Sequence, residues 1–156
     1  MIHAFKYGGW TALAEPMARL MSRLDFPRDV VEERSILVPV PLAAPRRRER
    51  GFNQSQELAL VLGEIWRIPV VEALSRGRST GTQTRLTPGD RLRNVAGAFA
   101  TVMGSGKLAG SHVVLVDDVV TTAATLNACA KALHEGGARI ISYVTFGRAR
   151  AAGDIP

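Results

Sequence analysis

Cysteine is almost missing from this chain: Cys129 is the only one in 156 residues. That excludes a disulfide framework and a cysteine-rich zinc site within it. Histidine is nearly as scarce. His3, His112 and His134 are scattered and show no metal-ligand spacing with one another or with Cys129. No apolar run approaches the roughly 20 residues that a membrane-spanning helix needs, and the N-terminus lacks the basic region and continuous apolar stretch of a secretory leader. The expectation is a soluble, untargeted protein of a reducing cytoplasm. Aromatic residues make up only 6% of the sequence, and among the arginine clusters Phe52 alone offers a surface on which a nucleobase could stack. There is no internal repeat and no low-complexity segment.

What is abundant is positive charge, mostly as arginine. A formal charge of +6 and a pI near 10.4 favour anionic partners, whether nucleic acid, phosphorylated metabolites or acidic surfaces. The arginines cluster: Arg46, Arg47, Arg48 and Arg50 in one segment, then Arg76, Arg78, Arg85, Arg91 and Arg93 in another. Solvated surface is the common fate of such runs, but the planar guanidinium fork suits phosphate oxygens and keeps a phosphate site open. With 46% hydrophobic residues, the chain has the apolar fraction and length of one domain with one substantial core, taken as residues 1–156.

From Trp10, the apolar residues Leu13, Ala14, Met17, Leu20, Met21 and Leu24 recur at helical spacing, with Pro16 in the first turn. Residues Ser35 to Pro41 are a short apolar run closed by prolines, the form of a buried parallel strand. Asn53, with Gln56 three residues on, predicts a helix start, and Leu58, Ala59, Leu62, Ile65 and Trp66 give that helix its apolar face. Pro69 to Val71 suggests another strand. Residues 75 to 94 read as a long loop, Val95 to Val102 as a strand, and Gly104 to Gly110 as a turn. His112 to Val116 is a strongly apolar strand, followed by Asp117 and Asp118 and then by a helix with Leu126, Cys129, Ala130 and Leu133 on its apolar face. Gly136-Gly137 caps that helix, and Arg139 to Phe146 supplies the last strand. Alternating strands and helices imply right-handed crossovers and a mainly parallel sheet with helices on both faces. Ligands of such sheets bind beyond the carboxyl ends of the strands, where both the first arginine segment and Asp117 fall.

The segment from Val113 to Leu126 carries the chemistry, read as strand, loop and helix start. A helix N-terminus offers unpaired N–H groups and partial positive charge, so a phosphate placed there collects several hydrogen bonds. Ala123 and Ala124 are small enough to let an anion approach, and Thr121, Thr122 and Thr125 add hydroxyl donors. Asp117 and Asp118 would repel a phosphate but can accept from the hydroxyls of an attached sugar, or hold waters of a bound Mg²⁺. Acids for a ribose and a hydroxyl loop for its 5-phosphate make one ribose-phosphate grip. The plainer alternative is that the two acids merely end a strand while Thr121 or Thr122 caps a helix.

The same segment resembles the binding motif for 5-phosphoribosyl 1-diphosphate (PRPP) of type I phosphoribosyltransferases: an apolar strand, two acids, two apolar residues, then Thr-Thr-Gly-Ala-Thr. More narrowly, Val38-Pro39-Val40-Pro41-Leu42, then Arg46, Arg48, Glu49, Arg50 and Gly51-Phe52-Asn53-Gln54, resemble the ComF family of competence-associated proteins. Lys6-Tyr7 with Gly9, and the later Arg76, Arg78, Thr80, Gln83, Leu86, Arg91, Asn94-Val95 and Ala98-Phe99, fit that pattern too. The chain departs from it at Ala123, where the motif has glycine, and at Ala43 and Arg47. The N-terminal cysteine zinc module of many relatives has no counterpart here.

The resemblance implies a type I phosphoribosyltransferase fold with a flexible hood loop at residues 75 to 94. It also implies transfer of phosphoribosyl from PRPP to a nitrogen acceptor, with Mg²⁺ held mainly through PRPP. Asp117, Asp118, Arg48 and Arg50 would be catalytic. Asp117, Asp118, Thr121, Thr122, Ala123, Ala124 and Thr125 would bind PRPP, and Arg46, Arg48, Arg50, Arg76, Arg78 and Gln83 would meet the diphosphate. No residue is an obvious general base, because Thr121 stands where some purine-specific relatives have an aspartate. Two alternatives stay open: a non-catalytic sensor of PRPP or a nucleotide that works with competence or DNA-uptake proteins, and direct binding of single-stranded DNA. Gly104-Ser105-Gly106-Lys107 is a turn and no P-loop, since Leu108 replaces the Ser/Thr and the turn precedes its strand. Cys129 reads as a packed thiol.

Overall fold

The computed structural model describes residues 11–77, 97–102, 106–120 and 123–148. A 3-10 turn at Thr11–Leu13 leads into helix α1 (Ala14–Ser22), followed by α2 (Arg28–Glu33), strand β1 (Arg34–Pro39), α3 (Ala44–Arg50) and α4 (Gln54–Trp66). Then come β2 (Leu74–Arg76), β3 (Phe99–Thr101), β4 (His112–Val120), α5 (Ala124–Glu135) and β5 (Ile140–Arg148). No helix among the described residues is long and apolar enough to cross a membrane.

Strands β1, β4 and β5 form a parallel sheet in that order, with Leu37 opposite Val114 and Val114 opposite Ser142. Their apolar residues run continuously because both sheet faces are covered, and side-chain alternation sorts them into two layers. Ile36, Val38, Val113 and Leu115 pack with Leu126, Cys129 and Leu133 of α5 and with Leu74 and Phe99. Leu37, Val114, Val116 and Val144 pack on the other face with Met17 and Met21 of α1 and Leu58 and Leu62 of α4. The helices on both faces are those that the 3.6-residue spacing predicts, and Pro16 lies in the first turn of α1. On α5 the buried face is Leu126, Cys129, Ala132 and Leu133, while Ala130 is half-buried.

Several elements differ from the sequence expectation. Pro69 to Val71 form no strand: Val70 makes a single parallel bridge to Leu37. β2 and β3 pair antiparallel in a separate two-stranded sheet, of which β3 starts at Phe99, while the expected Val95 and Ala96 lie outside the described residues. The first arginine segment, to which the pattern assigns no element, is a helix, α3. Pro45 stands in its opening turn, arginine is a good helix former, and Gly51 at φ +77° supplies the left-handed stop. Asn53 caps α4 as expected, accepting from Ser55 N at 3.2 Å, but Gln56 reaches Glu72 (2.7 Å) and no reciprocal capping box closes.

The start of the central strand carries a titratable group. His112 is buried on β4, its Nε2 lies 2.8 Å from Ser142 Oγ of β5, and its Nδ1 has no partner among the described residues. Burial pushes its pKa below the usual 6.5. Glu33 and Asp29 oppose that shift, and Arg139 adds to it. The unfolded chain therefore binds the proton more readily, so this contribution to stability is complete above about pH 6.5 and is lost as the pH falls through the lowered folded value. Urea midpoints should drop on acidification, and the drop should be smaller in His112→Asn. Parallel pH profiles in the two proteins would remove His112 as the cause.

Candidate functional site

At the carboxyl end of the sheet the strand does not stop at Val116. β4 continues through Asp117 and Asp118 to Val120, paired with β5 as Asp117↔Thr145, Val119↔Gly147 and Val120↔Arg148. The two acids thus sit on a hydrogen-bonded strand and not on a loop, which corrects the expected strand end. Alternation carries Asp117 on from Val113 and Leu115 and Asp118 on from Val114 and Val116. Asp117 is half-buried, and its Oδ1 accepts from Ser55 Oγ (2.9 Å) and Asp118 N (2.9 Å). Asp118 is only 8% exposed, and Val119 N donates to its Oδ1 at 2.8 Å. A buried carboxylate needs such donors to persist in the folded state.

Beyond the acids, Ala123 is the N-cap of α5 in a left-handed conformation, φ 56° and ψ −1°. It has no side-chain acceptor to offer, so among the described residues the first-turn amides of this 12-residue helix receive no side-chain cap, unlike those of α4. Ala124 and Thr125 open the helix and are half-buried. A hollow of about 30 Å³ is bounded by Asp117, Val119, Val120, Ala123, Thr125 and Leu126. A larger groove of about 290 Å³ runs along α5 between Ala124 and Glu135 with Gly97 and Phe99 opposite. Size favours the groove, but chemistry favours the hollow. The charged groups of the groove, Lys131 and Glu135, lie 3.9 Å from each other, whereas the hollow joins a carboxylate to a helix N-terminus.

Arg76 of β2 brings positive charge to this end. Its guanidinium lies 5.2 Å from the Phe99 ring centre. Burial, then the charge of Arg46, pushes its pKa down, while the carboxylate of Asp117 holds it up. Arg46 and Asp117 therefore both act on Arg76. On α3, Arg46 and Arg50 are one turn apart on one side, and Arg48 is roughly 160° round the helix from Arg46. Arg46, Arg47 and Arg48 are exposed and Arg50 half-buried. Cys129 lies in the core, its thiol pushed up to about 12 by burial and by Asp117, so it stays a neutral packed group. Of the other sequence-predicted site residues, Thr121, Thr122, Arg78 and Gln83 lie outside the described residues, as does residues 78–94 of the expected hood. Ser55 was missed. Its signal was its place, two residues after a helix cap that follows a buried strand.

A parallel sheet with helices on both faces, two acids near the carboxyl end of its central strand and a helix N-terminus beside them that no described side chain caps together describe an α/β protein of the phosphoribosyltransferase fold. The family model for the phosphoribosyl transferase domain matches residues 48–155, and the chain belongs to that family. It is 36% identical over 116 residues to Competence protein F of Haemophilus influenzae, covering 74% of this chain and 50% of that one. It is 34% identical over 152 residues to DNA utilization protein YhgH of Salmonella typhi, covering 90% and 63%. Competence protein ComFC of Bacillus subtilis is 35% identical over 102 residues, covering 65% and 39%. These matches bear out the likeness to the ComF proteins, and the chain spans about half to three fifths of the first two. Among solved structures, the glutamine PRPP amidotransferase from B. subtilis complexed with ADP and GMP aligns with a TM-score of 0.57 at 20% identity, over 85% of this chain and 26% of that one. The hypoxanthine phosphoribosyl transferase of Trypanosoma cruzi aligns with 0.51 at 17%, over 96% and 70%. At such identities they attest the fold.

Proposed function

We propose that this chain binds PRPP at the carboxyl end of β4 and transfers its phosphoribosyl group to a nitrogen acceptor. The observation that carries this reading is the juxtaposition of Asp117 and Asp118, held near the end of the β4 ladder, with an N-terminus of α5 that no described side chain caps. The α5 amides and Thr125 receive the 5-phosphate, with Thr121 and Thr122 joining them. Asp117 and Asp118 accept from the ribose hydroxyls, and Ser55 fixes the orientation of Asp117. Arg46 and Arg76, with Arg50, offset the negative charge that builds on the departing diphosphate. The acceptor nitrogen bonds to the anomeric carbon as the bond from that carbon to the diphosphate oxygen breaks, and the nitrogen's proton goes to solvent or to the leaving group.

Mg²⁺ fits this donor set as a cation brought with the ligand. Among the described residues no three His, Cys, Asp or Glu side chains converge, while Asp117 and Asp118 provide the hard oxygen atoms the ion prefers. Bound to the diphosphate, it would neutralise leaving-group charge, and the two aspartates would meet its waters.

A second reading is a PRPP or nucleotide sensor without turnover, serving competence or DNA-uptake proteins in the cytoplasm. The left-handed methyl-bearing Ala123 favours it, as do the names of the relatives. The exposed Arg46, Arg47 and Arg48 would allow such a module to touch nucleic acid directly. Diphosphate release from PRPP with Mg²⁺, measured across nucleobases and small amines, separates the readings. Release with any acceptor supports transfer; saturable PRPP binding without release supports the sensor; neither leaves the site reading without support.

A further inference from the structure

Gln54, the first residue of α4, is 1% exposed, and its amide Nε2 finds no acceptor among the described residues. Folded proteins keep few buried N–H groups in this condition, because each forfeits the bonds it made to water. Its neighbours are all engaged. Asn53 Nδ2 donates to Val40 O (3.1 Å), Asn53 Oδ1 accepts from Ser55 N, and Ser55 Oγ donates to Asp117.

Two periodicities locate the amide. Gln54, Leu58 and Leu62 stand four residues apart on one face of α4, and both leucines are fully buried against the layer that contains Val114 and Val116. Val114, Val116 and Asp118 alternate on one face of β4. The first turn of α4 lies level with the end of β4, as the bond from Ser55 to Asp117 requires. Gln54 therefore heads the leucine stripe where Asp118 heads the valine stripe, two buried polar groups at the top of an apolar wall.

Resting on the ribose-phosphate reading, we propose that Gln54 is a positioning residue for Asp118: its amide donates to the Asp118 carboxylate in the liganded state and aims it at the ribose. The unmatched donor of the free protein is then satisfied when ligand binds, a local sacrifice of stability of the kind functional sites retain.

The test uses the full chain carrying Gln54→Met, which keeps length and loses the donor. Calorimetric titration with PRPP and with ribose 5-phosphate, both with Mg²⁺, should show affinity falling at least about tenfold, while the unfolding temperature of the free protein stays level or rises. Gln54→Glu is the second variant, and it also serves if the first fails to fold. It should bind poorly at about pH 8, with one more carboxylate near Asp118, and regain affinity relative to wild type at about pH 5, where a Glu raised above its ordinary range by burial and by Asp118 is protonated and can donate. Wild-type affinity in Gln54→Met, whether stability is kept or lost, would overturn the proposal and leave a structural amide. Wild type that binds neither ligand would overturn the site reading itself, an outcome distinct from a defect confined to the variants.

Discussion

Asp117→Asn is expected to weaken PRPP binding roughly ten- to a hundredfold, the loss of one charged hydrogen-bond acceptor, while the fold holds. The substitution preserves an oxygen for Ser55 Oγ and for Asp118 N, so the end of β4 keeps its local bonds. What it removes is a negative charge beside Arg76, whose guanidinium stays protonated with or without it. The loss should be smaller for PRPP than for ribose 5-phosphate, because removing a negative charge beside Arg76 leaves more of its positive charge for the diphosphate, which Arg76 and Arg46 face in the proposed pose. Asp118→Asn should also lower affinity, but without that contrast between ligands. Calorimetric titrations with both ligands, set beside thermal unfolding of the free proteins, test this. Unchanged affinity in both variants would take the two acids out of the site.

Ala123→Gly should tighten PRPP and ribose 5-phosphate together, by up to roughly tenfold, and should not lower the unfolding temperature. At φ 56° an alanine pays about 1–2 kcal/mol that glycine does not, because its Cβ crowds the following carbonyl. Part of that gain is offset by the larger freedom of glycine in the unfolded chain. The methyl group also stands at the helix N-terminus, where a phosphate must come close to the backbone. Equal or weaker binding in the glycine variant would mean that the turn already suits its ligand, and the substitution of alanine for the motif's glycine would then be neutral for function.

The parts of the fold that could be read in advance are those where local pattern and tertiary demand agree. Ile36 to Val40 and His112 to Val116 are continuous apolar runs because they are covered on both faces, and Met17, Met21, Leu58 and Leu62 repeat at helical spacing because each helix covers one face. Val70 looks like part of a strand by composition, yet forms one bridge. The extension of β4 through Asp117 to Val120 was hidden because adjacent acids resemble a strand end, whereas the ladder to Gly147 and Arg148 is a partner's property that local sequence does not carry. The α3 helix was hidden by its lack of an apolar face, although Pro45 and Gly51 marked both of its ends. For the candidate site, residue type alone singled out the acids and the helix start. The bond from Ser55 to Asp117, and the mutual repulsion of Arg46 and Arg76, depend on which side chains the fold brings round, and no spacing in the sequence encodes them.

Because Asp117 and Asp118 ride on a strand, their roles are tied to its frame. Deleting or inserting one residue between Val113 and Val116 would turn every later side chain to the opposite sheet face, exchanging which carboxylate meets Arg76 and which lies over the α4 layer. Chain length in this stretch is thus as much a constraint as residue identity. Homologous strands should accept many apolar exchanges there and no change in length.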